Sequence, residues 1–132
     1  MAYMLDTNVV SDLVRAPQGQ VASRVRAVGD AEVCTSVIVA AELRYGAAKK
    51  ASARLSAQLE AVLGVMSVLP LEPPVDATYA RLRAALEREG RAIGGNDLLI
   101  AAHAVTLGHT LVTDNEREFA RVRGLRCENW RR

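Results

Sequence analysis

Four acidic residues in this 132-residue chain occupy positions where a carboxylate can do chemistry. Asp6 and Asp114 each follow a short apolar run that has the composition of a buried strand. Ligands of parallel α/β sheets bind beyond the carboxyl ends of the strands, so both residues point to the expected site. Asp97 begins the most apolar helix that the sequence predicts, and Glu42 is the only charge in the apolar run 37–43.

Each of these acids also has a purely structural interpretation. Asp6 can cap the helix that follows it, and Asp114 can cap a short turn at Glu116–Phe119. Asp97 gains roughly 0.3–1 kcal/mol from the positive end of its helix dipole. Glu42 can face solvent on the one exposed stripe of its helix, the commoner arrangement for a lone glutamate. Single residues leave the choice open, and the case for a site depends on all four together.

Carboxylates that converge within a few ångströms raise one another's pKa unless a cation lies between them. Hard oxygen ligands without neighbouring Cys or His suit Mg²⁺ or Mn²⁺. Such ions activate water and bind phosphoryl oxygens, so phosphodiester hydrolysis is the expected reaction. His103 is expected to be a satisfied core histidine, and His109 has no partner at metal-ligand spacing. The sequence contains no zinc signature and no phosphate-binding glycine loop.

The elements that must position these acids are short strands that alternate with helices. The predicted strands are Ala2–Leu5, Val33–Thr35, Ser67–Leu69, Thr110–Val112 and Leu125–Cys127. The predicted helices are Thr7–Arg15, Gln18–Val28, Val37–Lys50, Ala53–Leu63, Val75–Glu89 and Asp97–Leu107. Ser36 is a suitable N-cap for the third helix, and Asn96 or Gly95 for the last. This alternation predicts one α/β domain over residues 1–132, with a mostly parallel central sheet of about five short strands.

Composition is that of an ordinary globular domain, with 50% hydrophobic and 24% charged residues. The longest strongly apolar stretch, 98–105, is far shorter than the roughly 20 residues of a membrane span. The N-terminus has no signal-peptide pattern, so we expect a cytoplasmic protein without a membrane partner. Cys34 and Cys127 are most simply buried thiols, although the sequence also allows a disulfide between them.

Arginines concentrate near the C-terminus. Residues 117–132 contain six arginines against two glutamates, although the net charge of the chain is only +2. Guanidinium groups suit phosphate contacts, while a solvated terminal face explains the cluster equally well.

Five groups of residues resemble, in order, the VapC toxins of the PIN-domain superfamily. They are Met4–Asn8; Ser36 with Ala41–Gly46; Asn96–Ala104; Leu111–Asn115 with Glu118 and Phe119; and Gly124 and Leu125 with Glu128–Trp130. The resemblance covers almost the whole chain, and the ordered set with its spacings is highly specific. It implies a three-layer, Rossmann-like PIN fold. It also implies a Mg²⁺- or Mn²⁺-dependent endoribonuclease that is the toxin of a type II toxin–antitoxin pair.

The resemblance also implies roles for individual residues. Asp6 and Asp97 match the principal metal ligands of the family, and Glu42 matches a further ligand or the base that orients water. Many PIN domains have their fourth acid at the position of Asn115, so either Asn115 acts through a water or Asp114 takes over its role. The expected supporting residues are Thr7, Asn8, Ser36, Thr113 and Asn115.

The implied partners are an RNA substrate, a VapB-type antitoxin and a second copy of the chain. Members of the family cut structured RNA such as tRNA and leave a 3′-hydroxyl and a 5′-phosphate. The closing residues resemble those of members associated with initiator tRNA. Operator DNA is reached only through the antitoxin. The residues expected to hold the RNA backbone are Arg81, Arg117 and Arg121.

Two other functions are compatible with part of this pattern. A phosphatase of the haloacid dehalogenase type also has an aspartate after its first strand. It needs a second acid where this chain has Asn8, and a late lysine, whereas the only lysines here are Lys49 and Lys50. The second alternative is a PIN domain with weak or lost catalysis that binds RNA or protein. The three intact acids of the motifs favour the enzyme.

Overall fold

The computed structural model describes residues 2–132, in which five strands form one parallel sheet. The strands are β1 (Tyr3–Leu5), β2 (Val33–Ser36), β3 (Ser67–Leu69), β4 (Thr110–Val112) and β5 (Cys127–Glu128). The helices are α1 (Thr7–Arg15), α2 (Gln20–Val28), α3 (Val37–Lys50), α4 (Ala53–Gly64), α5 (Val75–Arg88), α6 (Gly95–Leu107) and α7 (Glu116–Phe119). The predicted α/β class with a mostly parallel sheet of about five strands is confirmed.

The strand order β3-β2-β1-β4-β5 explains why the domain has three layers. The chain moves from β1 to β2 and β3 in one direction across the sheet, then returns to β4 and β5 on the other side of β1. Crossovers between parallel strands are right-handed, so α1–α4 cover one face and α5–α7 the other. The order reverses between β1 and β4, and a ligand site is expected beyond the carboxyl ends of these two strands.

Apolar side chains fill both faces of the two central strands. Met4 and Leu5 of β1 and Leu111 and Val112 of β4 are fully buried. Because both faces of a parallel sheet are covered by helices, such strands are apolar throughout instead of alternating. No helix within residues 2–132 combines the length and apolarity that a membrane span requires.

Two predicted helix starts are wrong by two residues, and both errors come from glycine. The second helix begins at Gln20 instead of Gln18, because Gly19 is its N-cap. The sixth begins at Gly95 instead of Asp97, and its N-cap is Gly94 instead of Asn96 or Gly95. Gly19 and Gly94 have no polar side chain that could accept a hydrogen bond from the first turn of the helix. They therefore lack the feature by which an N-cap is usually recognised in a sequence.

The last strand begins two residues later than predicted and ends one residue later. Leu125–Cys127 was the apolar run, but pairing with β4 places the strand at Cys127–Glu128. Gly124 has a φ of 84°, in the left-handed region, and the chain turns there before it reaches the sheet edge. Edge strands this short are fixed by their neighbour more than by their own composition.

The sheet register decides the state of the two cysteines. Cys34 pairs with Met4, Met4 with Leu111, and Leu111 with Cys127, so the two thiols are three strand spacings apart. At about 4.8 Å per spacing this is roughly 14 Å, well beyond the reach of a disulfide. Both cysteines are free, and burial, the largest cause, raises the pKa of each thiol to about 11. Neither is poised as a thiolate nucleophile.

Candidate active site

Asp6 lies at the end of β1, beside β4, where the strand order reverses. The residue is 3% exposed. Its Oδ1 accepts a hydrogen bond from the backbone N–H of Thr7 (2.8 Å), and its Oδ2 accepts one from the hydroxyl of Thr113 (2.7 Å). Burial raises the pKa of Asp6, these hydrogen bonds lower it, and the charges of Glu42 and Glu118 raise it further. Asp6 therefore caps α1 and also lies within the field of other acids.

Glu42 faces inward from the second turn of α3. Its Oε1 accepts a hydrogen bond from the hydroxyl of Thr7 (2.6 Å), and its Oε2 accepts one from the side-chain amide of Asn96 (3.2 Å). The alternative in which this glutamate occupies a solvent-facing stripe is therefore wrong. Thr7 holds two acids at once, Asp6 through its backbone and Glu42 through its side chain.

Asp97 is the third residue of α6, in the first turn of the helix. Its pKa is raised to about 7. Burial is the largest cause, followed by a hydrogen bond with the carboxyl group of Glu118 and by the charges of Asp6, Glu118 and Glu42. These causes place four carboxyl groups, from β1, α3, α6 and α7, in one electrostatic neighbourhood at the carboxyl edge of the sheet.

Glu118 is the member of this group that sequence reasoning missed. It is the third residue of α7, and its Oε1 is buried without a hydrogen-bond partner in the part of the chain that the structure describes. Its carboxyl group raises the pKa of Asp97 both through a hydrogen bond and through its charge. The sequence offers little local signal for Glu118, because a four-residue helix has no periodicity to detect.

Asp114 is not brought into the acidic group. Its side chain is 45% exposed and forms an ion pair with Arg131 at 2.8 Å. The amide of Asn129 donates to its Oδ1, and its own backbone N–H donates to the side chain of Asn8. Asp114 also fails to cap α7, whose N-cap is Asn115. Because Asp114 is held away by Arg131, the geometry favours Glu118 as the fourth acid.

The remaining predicted supporting residues hold strand ends and helix starts. Ser36 is fully buried and caps α3, since its hydroxyl accepts a hydrogen bond from the backbone N–H of Ile38 (3.1 Å). Thr113 is also fully buried, and its hydroxyl accepts a hydrogen bond from the backbone N–H of Asn115 (3.0 Å) while it donates to Asp6. Thr113 thus connects the turn after β4 to the acid at the end of β1.

The three arginines predicted to contact RNA lie on the layer formed by α5–α7. Arg81 is exposed on α5 and Arg117 is exposed on α7. Arg121 donates to the carbonyl oxygen of Ala92 (3.1 Å), in the loop that leads into α6. Arg81 and Arg121 line the same small cavity.

Residues 3–125 match the PIN domain family. The chain belongs to this family. It is 40% identical over 131 residues to ribonuclease VapC2 of Haemophilus influenzae and 35% identical to the tRNA(fMet)-specific endonuclease VapC of Shigella flexneri, with 98% of both chains covered in each comparison. Its fold is similar to a chain in the crystal structure of VapBC2 from Rickettsia felis bound to a promoter DNA fragment. That similarity has a TM-score of 0.92 and 34% identity, over 98% of this chain and 99% of the other. Within the PIN domains it belongs to the VapC ribonucleases, as its motifs predicted.

The acids of this PIN domain suit a divalent cation by their chemistry. Over residues 2–132, no three His, Cys, Asp or Glu side chains form a ready-made set of metal ligands. Mg²⁺ does not require one, because it usually binds through one or two carboxylates and keeps several waters. The buried Oε1 of Glu118 that accepts no hydrogen bond and the raised pKa of Asp97 both indicate negative charge that a cation would neutralise.

Proposed function

We propose that this PIN domain is a Mg²⁺-dependent endoribonuclease, with Mn²⁺ as a possible substitute, and that it acts in the cytoplasm as the toxin of a toxin–antitoxin pair. One observation carries the proposal: carboxyl groups from four separate elements meet at the carboxyl edge of the sheet, where the charges of Glu42 and Glu118 help to raise the pKa of Asp6 and of Asp97. Such an arrangement is costly for stability without a cation, and cation-assisted phosphodiester cleavage is what it suits. The ribonuclease names of the relatives support the same reaction.

In this proposal Asp6 and Asp97 hold the metal, and Glu42 is a third ligand or the base that orients water. When bound, the ion supplies positive charge that polarises a phosphoryl oxygen and promotes loss of a proton from water. Thr113 and the backbone of Thr7 fix the Asp6 carboxylate, since each of its oxygens accepts one hydrogen bond. Glu42 is oriented in the same way by two donors.

The reaction is hydrolysis of an RNA phosphodiester. The oxygen of a water molecule forms a bond to phosphorus, and the bond from phosphorus to the 3′-oxygen breaks. The proton lost by the water is taken up by a carboxylate, and the leaving 3′-oxygen is protonated to a hydroxyl. The products are a 3′-hydroxyl and a 5′-phosphate.

Structured RNA is the proposed substrate, with tRNA, and initiator tRNA in particular, as the first candidate. The relative from Shigella flexneri that is named as a tRNA(fMet)-specific endonuclease is 35% identical over 131 residues. Arg81, Arg117 and Arg121 are the proposed contacts to the RNA backbone, because guanidinium groups bind phosphates with well-defined geometry. Cleavage of such an RNA would inhibit translation until an antitoxin neutralises the toxin.

The proposed protein partners are a VapB-type antitoxin and a second copy of this chain. The similar Rickettsia felis chain comes from a structure of VapBC2 with promoter DNA, which supports a two-component assembly. Operator DNA would be contacted through the antitoxin and only indirectly by this chain.

Asp97→Asn tests the proposed function directly. Asparagine keeps the size of the side chain but cannot carry the negative charge, so we expect cleavage to fall by at least about a thousandfold. RNA ends should be sequenced after brief expression, and cleavage of candidate tRNAs should be timed in vitro with Mg²⁺.

Asp76→Asn is the matched control, because Asp76 is an exposed aspartate in the first turn of α5. It should cleave like the wild type. If Asp97→Asn retains activity, the metal-site proposal is wrong. If the wild type binds RNA but never cleaves it, the chain is the binding module named above as the alternative.

A further inference from the structure

His103 is a buried polar residue that the reaction does not use. It lies in the middle of α6 and is 1% exposed. Its Nδ1 is 2.9 Å from the hydroxyl oxygen of Ser36, which is fully buried and 67 positions away in the chain. Ser36 is both the last residue of β2 and the N-cap of α3. One side-chain pair therefore joins α6 to the junction of β2 and α3.

The donors and acceptors around this pair determine where its protons are. The hydroxyl oxygen of Ser36 accepts from the backbone N–H of Ile38 and keeps its own proton for a second bond, which fits donation to Nδ1 of His103 in the tautomer where that nitrogen is an acceptor. The ring also donates to the carbonyl oxygen of Pro70, and with Nδ1 as an acceptor that proton is on Nε2. Burial lowers the pKa of His103, in agreement with a neutral ring. Pro70 follows β3, so the ring links α6 to the ends of two neighbouring strands.

A second contact between the same two helices lies beside the acids. Asn96, in the first turn of α6, donates to Glu42 in the second turn of α3. On α3 the contact residues Ser36 and Glu42 are six positions apart, and on α6 Asn96 and His103 are seven positions apart. At 1.5 Å per residue these spacings are roughly 9 and 10 Å. Two contacts at matched spacing restrict both sliding and rotation of α6 against α3.

Apart from His103, the buried face of α6 is apolar and combines Leu98 and Ile100 with three alanines. Ala101, Ala102 and Ala104 are fully buried. Apolar packing is non-directional, whereas a hydrogen bond weakens steeply when its distance or angle changes. A buried hydrogen-bonded pair can therefore select one position of a helix that its apolar contacts would allow to shift.

We propose that Ser36 and His103 are a positioning pair that holds α6 against α3, so that Asp97 keeps its place relative to Glu42 and Asp6. The inference rests on the proposed function, because the spacing of these acids matters only if they share a cation. Residues that hydrogen-bond directly to metal ligands typically change metal affinity or activity by about 10- to 100-fold when they are removed, and a pair that acts one contact further away is expected at the lower end of that range.

The test compares two variants of His103 in the full-length protein. His103→Leu keeps an apolar side chain in the core but removes both hydrogen bonds. His103→Gln retains an acceptor for Ser36 and a donor for Pro70. We expect His103→Leu to bind Mn²⁺ at least about tenfold more weakly in calorimetry without RNA, and to lose kcat by a similar factor. The KM for RNA should change less than about twofold, and His103→Gln should recover most of both losses.

Thr106→Val is the matched control on the same helix. The hydroxyl of Thr106 donates to the carbonyl oxygen of Ala102 (2.7 Å) and is hydrogen-bonded to the hydroxyl of Thr78 (2.9 Å), so this variant removes a hydrogen bond between α6 and α5. It should lower Tm, as His103→Leu does, but leave Mn²⁺ affinity and kcat unchanged. If His103→Leu and Thr106→Val have the same Mn²⁺ affinity and kcat, the pair is merely structural and the inference is wrong.

A second pair of variants covers the case in which His103→Leu does not fold. Ser36→Ala and Ser52→Ala each remove a helix N-cap, on α3 and α4 respectively, but only the first removes the bond to His103. Ser36→Ala should weaken Mn²⁺ binding and Ser52→Ala should not; equal affinities overturn the inference. A wild-type protein that neither binds Mn²⁺ nor cleaves RNA would refute the proposed function, and the inference with it.

Discussion

Asp97 shows most clearly what it costs to bring the acids together. Its pKa is raised to about 7, while the pKa of Asp6 is raised in the same direction, in both cases mainly by burial. The folded chain without a cation therefore holds protons that the unfolded chain releases at the same pH. The carboxylates that repel one another lie on different elements and come together only when the chain folds. Their repulsion therefore lowers the stability of the folded state alone. The acidic group thus lowers the stability of the metal-free protein, as is typical of functional sites with perturbed pKa values.

The stability of the metal-free protein should fall as pH rises from about 4 to about 7. The folded pKa of Asp97 lies above its unfolded value of 3.8, so the folded state binds the proton more tightly. This contribution is complete below about pH 4 and is lost as pH rises through the folded pKa. In EDTA at pH 8, Asp97→Asn should be more stable than the wild type by about 1–2 kcal/mol, less than the full shift implies because the side chain is partly solvated.

Urea unfolding at pH 5 and pH 8 measures this difference, and Asp76→Asn is again the control. Excess Mg²⁺ should stabilise the wild type at pH 8 and have little effect on Asp97→Asn, because the ion binds the charged form of the group. A wild-type protein that is equally stable at both pH values in EDTA would contradict the assignment of the raised pKa to Asp97.

Substitutions of Glu118 and of Asp114 test which of these residues is the fourth acid of the site. Glu118 perturbs both Asp6 and Asp97, whereas Asp114 is engaged by Arg131 at the surface. Glu118→Gln should therefore reduce cleavage by about 100-fold or more, and Asp114→Asn by less than about threefold. Timed cleavage of one RNA by both variants decides between them. The opposite ranking would restore Asp114 to the site.

At the scale of elements, the prediction was accurate where a boundary has a clear local signal and wrong where it has none. The bounds of α1 and α3 and of β3 and β4 agree with the sequence prediction at both ends. Clear boundary residues explain such agreement: Ser36 precedes α3, and Gly108, with a φ of 70°, marks the correctly predicted end of α6. The predicted starts of α2 and α6 were wrong, because a glycine N-cap has no side chain to form a hydrogen bond and is a weak local signal.

The same reasoning explains why Glu118 was missed and Asp114 was preferred. Asp114 follows a strand directly, and strand ends are recognisable from a short apolar run. Glu118 reaches the acids only because four residues form α7, and a helix of one turn has no periodicity to detect. The tail also mattered, since Arg131 comes from beyond the last strand to bind Asp114. Contacts between distant parts of the chain decided the fourth acid.

Across the whole molecule, the arginine-rich C-terminus is largely engaged within the chain. Its contacts are Arg121 with the carbonyl of Ala92, Arg123 with Glu89, Arg131 with Asp12 and Asp114, and Arg132 with Glu116. The positive charge near the tail therefore serves partly to fix the tail on α1 and on the segment after β4. The explanation by phosphate contacts applies best to the exposed Arg81 and Arg117 on α5 and α7.

Arg81→Gln and Arg117→Gln should each weaken RNA binding without changing the chemical step. Every phosphate contact that is lost should reduce the slope of log affinity against log salt by about one. Binding is measured in an Asp97→Asn background, so that the RNA stays intact while the salt concentration is varied. Arg83→Gln is the control, because the guanidinium of Arg83 pairs with Glu87 at 2.9 Å. Salt slopes in Arg81→Gln and Arg117→Gln that match the Arg83→Gln control would show that RNA approaches from another side. The α5–α7 layer would then be free for a protein partner.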